Sequence, residues 1–146
     1  MNTIEVCLTP VLYQHKLTEN NYGVIVIDVL RATTSITTAF DYGVKEIIPV
    51  STDEKAISLK SKNYLVAAEK DGVTLDYAHF GNSPFYFRNN ELKDKIIVYK
   101  TTNGTQTIKM LDLDNVKAVV IASFLNINAV VNWFCEQKLN VVLLCS

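Results

Sequence analysis

The sequence predicts an α/β fold with a mostly parallel sheet, residues 1–146 forming a single domain. Three observations predict it. Short apolar runs rich in β-branched residues have the length and composition of strands covered on both faces. Helical stretches alternate with them, and that alternation implies right-handed βαβ crossovers. Nearly every run ends in a small polar cluster, and in parallel sheets ligands bind beyond the carboxyl ends of the strands.

Residues 24–27 are the first clear strand, and Asp28 stands where it ends. Arg31, Thr33, Thr34 and Ser35 then crowd the first turn of an amphipathic helix carrying Ile36, Ala39 and Phe40. A helix N-terminus flanked by a guanidinium and hydroxyls suits a phosphate or sulfonate. The same residues serve equally to cap the helix, with Asp28 bonded to a loop. Residues 53–62 read as the next helix, and the run 64–68 ends in Glu69. Residues 70–90 are the least regular stretch, carrying Gly72, His79, Gly81, Asn82 and Pro84, and a loop of that length inside a compact domain is usually functional or has short elements of its own.

The run 95–100 ends in Thr101, Thr102, Asn103 and Gly104, and residues 105–111 suggest a helix. Gly104 would let the backbone approach an anion closely. Asn-Gly is also the strongest short hairpin signal, with 105–108 as the return strand. The run 116–122 ends in Ser123, followed by Asn126 and a helix over 128–138. The last run, 139–145, is expected to leave an unpaired apolar edge that favours association, as a homo-oligomer or with a completing C-terminal segment.

Composition narrows the partners. A net charge of -1 without a Lys/Arg-rich stripe argues against nucleic-acid binding. No apolar run approaches the ~20 residues of a membrane helix, and MNTIEVCLTP does not read as a signal peptide. Cys7, Cys135 and Cys145 lack CxxC spacing and fit buried free thiols in a reducing cytoplasm.

Asp28 and Glu69, both at strand ends, are candidates to share a Mg²⁺ ion, since hard cations prefer carboxylate and water oxygens. In HFGNSP, residues 79–84, Asn82 and Ser83 are candidates to bind substrate oxygens, although Ser-Pro at a helix start is also a structural cap. His79 has no second histidine or cysteine at ligand spacing and is expected to be neither metal ligand nor catalyst, and His15 is expected on the surface.

Taken together, IDVLRATTSITTA, AAEKDG, FGNSP, KTTNGT and VIASFLNINAV resemble the 2-phosphosulfolactate phosphatase family, the ComB-like enzymes, in order and spacing across nearly the whole chain. The resemblance implies a three-layer α/β/α fold and Mg²⁺-dependent hydrolysis of 2-phosphosulfolactate, or a similar small anionic phosphomonoester, to sulfolactate and phosphate. In methanogens that reaction feeds coenzyme M synthesis. It carries function to Asp28, Arg31, Thr33 and Thr34, to Glu69, to Asn82 and Ser83, to Thr101, Thr102, Asn103 and Gly104, and to Ser123 and Asn126. Asp28, Arg31 and Glu69 are the catalytic candidates, Asp28 as metal ligand or nucleophile, and the others would bind substrate.

Three departures stand beside the resemblance. Lys70 and Gln106 occupy positions where members commonly have arginine, and neither offers a bidentate fork. Full-length members also continue into a further segment. A non-catalytic anion-binding module, or an incomplete fragment of the phosphatase, is therefore the alternative expectation.

Overall fold

The computed structural model describes residues 3–14, 21–101, 107–108, 110–111, 113 and 115–146. Its elements run β1 (Ile4–Cys7), α1 (Pro10–Tyr13), β2 (Tyr22–Ile27), α2 (Ala32–Asp41), β3 (Glu46–Val50), α3 (Asp53–Lys60), β4 (Leu65–Lys70) and β5 (Val73–Thr74). Then follow α4 (Pro84–Phe87), a 3-10 turn (Asn90–Leu92), β6 (Ile96–Lys100), β7 (Ala118–Ala122), α5 (Ile127–Gln137) and β8 (Asn140–Cys145).

The α/β class and the mostly parallel pairing are as expected. The strands divide, however, between two four-stranded sheets, ordered β1-β8-β2-β7 and β3-β6-β4-β5, where the apolar runs had suggested one. Strand–helix alternation dictates parallel crossovers but does not say which strands become neighbours.

In the first sheet every pairing is parallel. Ile25 of β2 faces Val120 of β7 on one side and Leu143 of β8 on the other. β8 lies between β1 and β2, which corrects the expectation of an unpaired apolar edge. Its continuous apolar run is what a strand needs when neighbours flank it on both sides. Val24 and Val26 pack with Cys7, Tyr13, Leu111 and Leu144 on one face, and Ile25 packs with Val130 and Phe134 of α5 on the other.

The second sheet is sandwiched in the same manner. Ile97 and Tyr99 face α2 through Ala32 and Ala39, whereas Val98, Val66 and Ala68 face α3 through Ala56. Pro49 sits in β3, an edge strand, where its missing N–H leaves no ladder partner unmet. Thr52 opens α3, its hydroxyl accepting from the Lys55 N–H at 3.3 Å, with Asp53 and Glu54 in the positive first turn. β4 reverses into β5 through Asp71 and Gly72, both at positive φ (51° and 82°), the backbone that a two-residue hairpin turn requires.

Thr107 and Ile108 are helical, so they do not form the return strand of an Asn-Gly hairpin. The three thiols are free; Cys7 is buried and Cys145 half-buried, but Cys135 in α5 is exposed, contrary to expectation.

Candidate active site

The carboxyl ends of β2 in one sheet and of β4 and β6 in the other meet around a cleft of about 710 Å³. Its walls carry Asp28 and Arg31 from the β2–α2 junction, Glu69 from β4, Asp71 and Gly72 from the turn after it, Asn82, Tyr99 from β6, and Thr101 just beyond. The polar clusters at the ends of these three strands therefore gather at one place.

Asp28 is half-buried, and its own loop holds it firmly. Its N–H donates to Thr33 Oγ1 at 3.0 Å, and its carbonyl accepts from the Thr33 N–H at 2.9 Å. Burial raises its carboxyl above the ordinary carboxylate pKa, opposed by hydrogen bonds from the Ala32 and Arg31 backbone N–H groups and by the Arg31 charge. Capping and anion binding draw on the same backbone donors at a helix start, and the Asp28 carboxylate lies within reach of them.

The hydroxyls of α2 are similarly committed. Thr34 Oγ1 donates to the Val29 carbonyl at 2.7 Å, and Ser35 Oγ donates to the Asn82 carbonyl at 2.6 Å. Thr37 and Thr38 donate to carbonyls four residues back. Arg31 is the cation of the cleft wall, and its Nη2 bonds Glu69 Oε2. Asn82 is fully buried, its Nδ2 donating to the Lys100 carbonyl at 2.8 Å.

The cleft brings together Asp28, Arg31, Glu69, Asn82 and Thr101. Thr33 stands directly behind Asp28. Thr34 and Asn126 instead line a separate groove of about 720 Å³ between α2, α4 and the end of β7. Asn126 Oδ1 accepts from the Ser123 N–H at 2.9 Å, and Ser123 Oγ accepts from the Leu125 N–H at 3.2 Å, so this pair shapes the turn into α5. Ser83 precedes Pro84 at the start of α4 without a side-chain cap bond. Thr102, Asn103 and Gly104 lie outside the described residues, as do Gln106 and His15. His79 Nδ1 accepts from the Val66 N–H at 2.9 Å and fastens its loop to β4, a structural use.

Tyr99 and Asp71 were not singled out as site residues. Tyr99 sits within an apolar strand and reads as core; Asp71 belongs to an Asp-Gly pair and reads as a turn. The signal for both was adjacency to a strand end already chosen.

Among the described residues no three His, Cys, Asp or Glu side chains cluster as a metal site. Mg²⁺ is commonly held by one or two carboxylates together with water and substrate phosphate oxygens. Asp28, whose burial disfavours its charged form, fits such a cation; Glu69 faces the same cleft but is bonded to Arg31.

The scaffold is a parallel α/β fold with acids, an arginine and an amide at converging strand ends, the place where such folds bind ligands. The family described as 2-phosphosulpholactate phosphatase matches residues 7–146, and the chain belongs to that family. It is 38% identical over 122 residues to a probable 2-phosphosulfolactate phosphatase of Thermotoga maritima, covering 84% of this chain and 52% of the relative. A probable 2-phosphosulfolactate phosphatase of Pseudothermotoga lettingae is 36% identical over 137 residues, covering 93% and 58%. One of Caldanaerobacter subterraneus subsp. tengcongensis is 38% identical over 129 residues, covering 85% and 52%. The chain spans about half the length of the curated relatives it matches. No described helix is long and apolar enough to cross a membrane.

Proposed function

We propose that this chain carries the catalytic cleft of a Mg²⁺-dependent phosphatase that hydrolyses 2-phosphosulfolactate, or a similarly small and strongly anionic phosphomonoester, to the free hydroxy acid and phosphate. The observation that supports this best is Asp28 and Arg31 side by side at the end of β2, facing a cleft shared with Asn82 and Thr101. Family membership supports the same reaction class.

In this reading Asp28 is the side chain that holds Mg²⁺, with Glu69 across the cleft as the second carboxylate. Bound there, the cation would polarise a phosphoryl oxygen and favour ionised water near neutral pH. Arg31 neutralises charge that develops on the phosphoryl oxygens, and its bond to Glu69 fixes the direction in which the guanidinium points. Thr33 holds the backbone of Asp28. Thr101 binds the acid portion of the substrate, together with Thr102, Asn103 and Gly104, and Asn82 meets a substrate oxygen.

Phosphate release from 2-phosphosulfolactate, measured with Mg²⁺ and with chelator beside Asp28→Asn, tests the proposal. Metal-dependent release that Asp28→Asn reduces at least ~100-fold is the expected result, in line with loss of a charged group acting at the transition state. Anion binding that ignores the chelator and produces no phosphate would instead assign a binding module.

A further inference from the structure

The first sheet is covered unequally on its two faces. Residues paired across parallel strands point to the same face. The pairs Ile4–Val141 and Val6–Leu143 therefore share theirs with Ile25, which lies beside Leu143. On that face α5 covers β2 and β7, its Val130 and Phe134 packed on Ile25 and Ala122. The opposite face is closed over β1 and β8 by α1, whose Tyr13 packs with Cys7, Val142 and Leu144. On the α5 face the cover stops short: Ile4 is 70% exposed and Val6 53%. A trough of about 330 Å³ lies between α5 and Ile4, with Val141 and Leu143 on its floor.

α5 gives the trough an apolar wall as well. Ile127, Val131 and Cys135 recur every four residues on the stripe next to Val130 and Phe134, and all three line it. Ile127 and Val131 stay 50% and 52% exposed. A contiguous apolar floor and wall open to solvent mark a place of association.

The dimensions specify the occupant. Strands lie ~4.8 Å apart, so a four-stranded face is about 19 Å wide and takes two helices of ~10 Å diameter. α5 is one of them, and the width left over β8 and β1 is that of one more. The α5 of a second copy does not suit the place. It already carries its own sheet on the Val130 side, so it would lay the exposed polar stripe of Asn128, Asn132 and Glu136 onto Ile4 and Val6. The trough calls instead for a helix with an apolar stripe beneath and a polar back. The curated relatives offer a source, because this chain spans about half of their length. We propose that the trough is a docking groove for one amphipathic helix from polypeptide equivalent to the relatives' unmatched half, laid beside α5 over β1 and β8. Docking there is independent of the phosphatase reading.

Cys135 is exposed and lines the trough, so its alkylation by iodoacetamide, located by mass spectrometry, reports occupancy. The probes are synthetic peptides of about 20 residues, long enough for a helix of about 30 Å. They tile the part of the Thermotoga maritima relative that this chain does not match. One peptide, with apolar residues at helical spacing, should bind the full chain and protect Cys135. At about ten times its Kd it should slow alkylation roughly tenfold, since only the open fraction reacts. Val6→Asp places a short charge beside Leu143 and should weaken that peptide at least ~tenfold. Should Val6→Asp fail to fold, Val131→Glu on the opposite wall carries the same expectation. Failure of every peptide to protect Cys135, or protection undiminished by these substitutions, overturns the groove. Protection that grows with the concentration of the chain alone, with doubled mass in sedimentation, assigns the trough to a second copy and overturns the helix.

Discussion

Arg31 Nη2 bonds Glu69 Oε2, and this contact joins the residue leading into α2, after a strand of the first sheet, to a strand of the second. Arg31 is more exposed than its partner, as a group needs to be if it also meets a ligand. Replacing Arg31 by Lys keeps the charge but loses the planar fork that engages carboxylate and phosphate together. Arg31→Lys should weaken inorganic phosphate binding by roughly tenfold. Competition by phosphate against turnover, or direct calorimetry, measures it; undiminished affinity would remove Arg31 from phosphoryl recognition.

Asp28 is expected to cost the fold stability in exchange for its chemistry. Its folded pKa is raised above the ordinary value of 3.8, chiefly by burial. The folded state thus holds the proton more tightly than the unfolded chain, so this group favours folding below its ordinary pKa and loses that contribution as pH rises through the raised one. Asp28→Asn should therefore raise the thermal midpoint at neutral pH while turnover collapses. The gain should shrink towards zero as pH falls below about 3.8. Melting curves of both proteins across pH check this, and a midpoint lowered at neutral pH would contradict it.

Gly23 lies in β2 under α5, and a Cβ there would stand 2.5 Å from Phe134 Cε1 and 2.9 Å from Cζ. With β7 and β8 paired on either side, the strand has little room to retreat. Gly23→Ala should destabilise by about 1–3 kcal/mol through overpacking. Pairing it with Phe134→Leu should recover part of that loss in denaturant titrations. Simple additivity of the two substitutions would argue against the contact.

Thr33 holds Asp28 from behind, its buried Oγ1 accepting the Asp28 N–H at 3.0 Å. Thr33→Val has nearly the same shape and no acceptor, and should cost about 1–3 kcal/mol by leaving that N–H unpaired. Thr33→Ser should retain most of the stability and most of the turnover. Equal melting of the Val and Ser variants would show that the bond contributes nothing.

Strands β2, β4, β6, β7 and β8 were legible because each is a continuous apolar run that ends in polar residues. Glu46–Val50 was not, because Pro49 interrupts its pattern, and only its place at a sheet edge makes the proline acceptable. Asp28, Arg31, Glu69, Asn82 and Thr101 were legible as strand-end or loop chemistry. The fate of the α2 hydroxyls was not, since whether a threonine serves a ligand or a nearby carbonyl depends on backbone geometry that composition does not carry.

The two walls of the cleft belong to different sheets, and behind them an apolar hollow of about 130 Å³ is bounded by Val26 and Ile121 from one sheet and by Ile47 and Tyr99 from the other. The gape of the cleft is accordingly expected to answer to packing at its rear, as the jaws of a calliper answer to its pivot. Adding or removing a methylene at Ile36 or Ile47, which share that hollow with Asp28, should change the spacing of Asp28 from Asn82. Relatives of this scaffold that handle bulkier acids should therefore carry their adjustments in that hidden hydrophobic layer and leave the polar rim unaltered.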